Sequence, residues 1–75
     1  MTNAHFLHVS YQKTVDDKTY CQDSLVILTA DKNLAWVREA LRKSMSQYFQ
    51  IELKTCPVII SMTEISEELF KILNQ

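Results

Sequence analysis

The sequence predicts an α+β fold. The expected architecture is a three-stranded antiparallel sheet in the order 2-1-3, with one long helix on one face and a short C-terminal helix. Three observations carry that expectation. Residues 5–12 and 20–29 have the alternation and the β-branched and aromatic content of strands, and a polar segment joins them. Residues 32–48 repeat apolar side chains at the spacing of one helix face. A further apolar run, 58–62, follows the single proline, and the chain then closes in a short apolar helix. The order is β-β-α-β-α. A helix that returns the chain after a hairpin lets the third strand lie beside the first, antiparallel to it. The 75 residues are expected to form one domain, 1–75.

In 5-HFLHVSYQ-12, Leu7, Val9 and Tyr11 fall on one face, and Phe6, His8, Ser10 and Gln12 on the other. The linking segment 13-KTVDDKT-19 is polar, and the chain has no glycine with which to build a type I′ turn. A hairpin loop longer than two residues is therefore expected. The second strand, 20-YCQDSLVILT-29, ends in an apolar run that needs cover on both faces. Phe6, Val26, Leu28 and Ile59 are assigned to the face away from the long helix.

Asp31 or Asn33 offers that helix an N-cap. A step of about 100° per residue gathers Leu34, Val37, Leu41, Met45 and Tyr48 on one stripe, with Phe49 at its margin. Glu39 and Lys43 stand four apart in the favourable order on the solvent side. At the end of the chain Ser66 suits an N-cap, with Glu67 and Glu68 in the first turn. Ile65 and Phe70 are spaced as a hydrophobic staple across that cap. So short a helix needs a surface to dock on.

Composition excludes several functions. Eight basic residues against nine acidic ones give a net charge of −1, which offers no general attraction to nucleic acid or anionic membrane. Without glycine the phosphate-cradling loops GxxxxGK[ST] and GxGxxG cannot be built. The N-terminal segment lacks the basic start and long apolar run of a signal, and no window approaches the length of a membrane span. The expected location is the cytoplasm.

Chemistry-bearing residues are few. His5 and His8 lie three apart on a strand and point to opposite faces, so they cannot share one metal ion. Cys21 and Cys56 are not in a CxxC arrangement and are expected to be buried, reduced thiols. Asp16 with Asp17 suits a turn, and Glu67 with Glu68 suits a helix start; neither fixes two carboxylates in a dry cleft. Arg38, Arg42 and Lys43 spread over about 140° of the helix with Glu39 among them, so no basic stripe forms. The sequence points away from an enzyme and implies no cofactor or metal.

Trp36 is the residue that the helix does not explain. It lies about 140° from the centre of the core stripe, on a side shared with Ala40, Lys43 and Gln47. A tryptophan there supplies rigid apolar area at little entropic cost, as interface anchors do. Trp36, Lys43 and Gln47 are therefore the candidate partner-binding residues, unless the terminal helix folds over the indole. A non-enzymatic protein-binding module follows from this, with a homodimeric accessory protein as the alternative.

The pattern of 6-FLHVSYQ-12, a polar hairpin, 24-SLVILTADK-32, a helix and 58-VIISMTEI-65 resembles the small ββαβ proteins of phages and prophages. The likeness spans most of the chain and rests on the order of its elements. Members of that group usually carry glycines in the hairpin, and this chain has none. The resemblance implies a binding-and-blocking role, since some small phage proteins, anti-CRISPR proteins among them, inhibit bacterial defence systems that way.

Overall fold

The computed structural model describes residues 4–75. In chain order the elements are β1 (Ala4–Val15), β2 (Lys18–Thr29), α1 (Leu34–Phe49), β3 (Val58–Ile65) and α2 (Glu67–Leu73). The three strands form one antiparallel sheet in the order β2-β1-β3, the α+β arrangement expected from the sequence.

The hairpin is tighter than the sequence suggested. β1 and β2 pair without interruption from Ala4 opposite Thr29 to Val15 opposite Lys18, so only Asp16 and Asp17 are left for the turn. Both have positive φ, 52° and 64°, as a type I′ turn demands. Aspartate tolerates the left-handed region better than most residues, which is how a glycine-free chain closes a two-residue loop. Twelve paired residues on each side outweigh the local strain.

The pairing register sets the two faces of the sheet. Leu7, Val9 and Tyr11 are buried on one face, together with Val26, which stands opposite Leu7. Leu28, opposite His5, and Ile59, opposite Tyr11, pack against the same cluster. Val26, Leu28 and Ile59 therefore face α1, contrary to their assignment to the far face. A continuous apolar run has no internal marker of phase, so cross-strand register decides which half turns inward. Leu25 and Ile27 take the far face with Phe6.

Asn33 is the N-cap of α1; its side-chain Oδ1 accepts a hydrogen bond from the Trp36 amide at 3.1 Å. Asp31 takes another role and accepts from the Thr29 hydroxyl, which holds its carboxyl below the usual range. Val37, Leu41 and Met45 are buried, each removal of such a side chain from water contributing roughly 1.5–3 kcal/mol. Leu34 and Tyr48, the ends of the expected stripe, are exposed. At the C-terminal end Phe49, from the margin of the stripe, packs on the core and against Tyr20 of β2 where Tyr48 was expected. Gln50 ends the helix at φ 58°, with its N–H bonded back to Gln47 and Ser46 carbonyls.

Leu53, in the connection to β3, is a core residue that periodicity could not reveal. Arg42 Nη1 donates to the Leu53 carbonyl at 2.8 Å, and the Leu53 amide donates to Ser46 Oγ at 3.1 Å. Glu39 holds the other side of the same guanidinium at 3.0 and 2.5 Å. Arg42, rather than Lys43, is thus the partner of Glu39. That contact holds the Glu39 carboxyl below, and the Arg42 guanidinium above, its ordinary range.

Among the described residues β3 pairs with β1 alone, from Gln12 opposite Val58 to Phe6 opposite Ile65, with a bulge where Ser10 and Tyr11 meet Ser61 and Ile59. Ser66 caps α2 through a 3.1 Å bond from the Leu69 amide. α2 then docks through Phe70, whose ring lies 5.0 Å from that of Phe6 on the face away from α1.

Candidate functional site

Three of the residues singled out by the sequence lie along one flank of α1. Trp36, Lys43 and Gln47 are all exposed there, spread over about 16 Å of helix by its 1.5 Å rise per residue. Trp36 is 38% accessible. Lys32 Nζ sits 4.1 Å from the ring centroid, a cation–π contact worth about 0.5–1 kcal/mol at an exposed site. α2 does not cover the indole, since its anchor Phe70 is on the opposite face of the sheet.

Lys43 and Gln47 are farther along and share a shallow hollow of about 390 Å³ with Arg42, Ser46, Gln50, Ile51 and Glu52. Gln47 also borders an open hollow toward β2, with Tyr11, Gln22, Ser24 and Tyr48. The flank is thus a mixed surface: an indole at one end, an amide and an ammonium in the middle, and the exposed side chains of Tyr48 and Ile51 near the other. Tyr48 and Ile51 belong to this surface as well, Tyr48 in spite of its place on the expected core stripe and Ile51 from beyond the end of the helix.

The far face of the sheet is different. Beside α2, His8, Asp23, Ser24, Leu25, Leu73 and Asn74 line an open hollow of about 450 Å³. His8 Nε2 is 3.6 Å from Asp23 Oδ2, whereas His5, on the α1 face, meets Glu64 at 2.7 Å. The two histidines thus point to opposite faces. Among the described residues no three His, Cys, Asp or Glu side chains are grouped as metal ligands. No helix among them is long and apolar enough to cross a membrane.

Cys21 and Cys56 are both free and both exposed, which corrects their expected burial. Cys21 is on an edge strand facing away from α1, opposite Gln12, and Cys56 is in the connection before Pro57. Neither position has an element packed over it. No protein-family model matches the chain, and no curated protein or solved structure matches it.

Proposed function

We propose that the chain is a non-enzymatic protein-binding module that acts by occupying the surface of a partner protein through the Trp36 flank of α1. The observation that carries this reading is the exposure of the only tryptophan, held beside Lys32 on a flank that the fold itself leaves free. An indole kept partly in water by a capped helix is pre-ordered, so little further entropy is lost when a partner covers it. Lys43 and Gln47 add adaptable polar contacts on the same line. The pattern-level likeness to small phage proteins supports a blocking role, with a bacterial defence protein as the target class.

Immobilised wild-type chain and the Trp36→Ala variant, both shown to fold by circular dichroism, test the reading on extract of a bacterial host. The expected result is a stoichiometric protein retained by wild type and lost by Trp36→Ala, with affinity falling by about 2 kcal/mol or more. Retention that is the same for both variants would remove this flank from the binding surface.

A further inference from the structure

We infer that two copies of this chain pair through β3, edge to edge and antiparallel about a two-fold axis, so that one sheet runs through both. Among the described residues β3 has a single hydrogen-bonded neighbour, β1, and its outer edge presents backbone N–H and C=O groups in a row. Its side chains are open as well: Val58 is 62%, Ile60 55% and Met62 43% accessible. No charged residue occurs from Thr55 to Thr63, and no proline interrupts Val58–Ile65.

Sheet edges that remain single are blunted by lysine, by proline, by a covering element or by a bulge. β3 has the bulge at Ile60 and one carboxylate, Glu64, near its end, and residues 61–65 run past that bulge in unbroken register with β1. The opposite edge, β2, carries Lys18 and Asp23 along its length. Of the two edges, only β2 carries a lysine, and the charge of β3 is confined to Glu64.

An open backbone edge is satisfied by another extended backbone, and β3 itself is the segment that matches. Antiparallel self-pairing within the unbroken stretch past the bulge, centred on Thr63, sets Met62 against Glu64 of the partner subunit, and does so twice. It places the one charge of the strand, Glu64, opposite the partner's Met62 and away from the second Glu64. Pairing β3 with β2 of another copy would bring in the charges of β2 and would leave two edges still open, an arrangement that propagates into a filament. Pairing β3 with β3 closes. Two five-residue stretches would exchange about four to six hydrogen bonds. This surface is separate from the Trp36 flank: β3 adjoins α1 at Arg38, and neither Trp36, Lys43 nor Gln47 lines that junction.

Sedimentation equilibrium of the full chain, from about 1 μM to about 1 mM, reads the outcome directly. The expected mass rises from 8.8 kDa to twice that value and stops there. Ile60→Lys and Thr63→Lys, each placing a charge on the edge, should raise the dissociation constant at least tenfold while the far-ultraviolet spectrum is unchanged. Thr63 is an exposed polar position, so its variant carries the test alone if Ile60→Lys does not fold. Thr19→Lys, on the β2 edge, should leave the dimer intact. A mass of one chain at every concentration, a mass that climbs past two copies, or a dimer indifferent to Thr63→Lys would each overturn the inference. Trp36→Ala should leave the mass unchanged, which keeps this test apart from that of the α1 flank.

Discussion

Alternate residues of the same three strands line the face under α1 and the face under α2, but the two are filled very differently. Under α1 lie Leu7, Val9, Tyr11, Val26, Val37, Leu41, Met45 and Leu53, a contiguous buried cluster. Under α2 only Phe70 is buried, against Phe6, and the rest of that face runs on through His8, Ser10, Gln12, Cys21 and Asp23. A sixteen-residue helix can cover a sheet of this size, whereas a seven-residue one covers one corner. The stability of the molecule is therefore expected to reside on one face, with the other free to remain polar and open.

The largest test of that division is Leu41→Ala. Removing a fully buried leucine from the α1 face should cost about 3 kcal/mol in a denaturant titration, seen as a lower midpoint with unchanged slope. Phe70→Ala should cost less, about 1.5–2 kcal/mol, the low end of what burying such a ring contributes, because the ring covers a corner rather than filling a core. Equal costs for the two would break the comparison and make α2 part of one core.

The hairpin tip belongs to neither face and gives a reference point. Asp17→Gly relieves a left-handed φ of 64° and should raise stability by a few tenths to about 1 kcal/mol, measured as a higher thermal midpoint. A loss of stability would mean that the carboxylate makes a contribution larger than the strain.

The smallest effect concerns the loop that seals the α1 face. The Glu39 carboxyl is held below its ordinary value of 4.5, chiefly by the Arg42 hydrogen bonds. Its contribution is present above that ordinary value and is lost as pH falls through the lowered one. Glu39→Gln should therefore flatten, slightly, the fall in thermal midpoint as the solution is acidified below about pH 4.5. An identical acid limb in both proteins would detach Arg42 from this role.

Much of this was legible in the residues themselves. The alternation in β1, the 3.6-residue repeat of Val37, Leu41 and Met45, and the Ser66 cap each depend on a local geometry that a short stretch of sequence dictates. So was the anomaly of Trp36, because a helical wheel needs only spacing. Where patterns were symmetric, reading failed: 25-LVIL-28 is apolar at every position, so nothing local distinguished Val26 from Leu25.

The sequence by itself determined the order of elements, the strand order and the flank on which Trp36 stands, since these follow from periodicity, capping and chain connectivity. Tertiary structure decided what depends on distant partners. Register turned Val26, Leu28 and Ile59 toward α1, long strands forced Asp16 and Asp17 into a two-residue turn, and the packing of Phe49 on Tyr20 left Tyr48 in water. Leu53 became core because Arg42 and Ser46 hold its backbone against α1. β3 is an open edge for the same kind of reason: an edge is defined by the neighbour a strand lacks, and no residue within the strand records that.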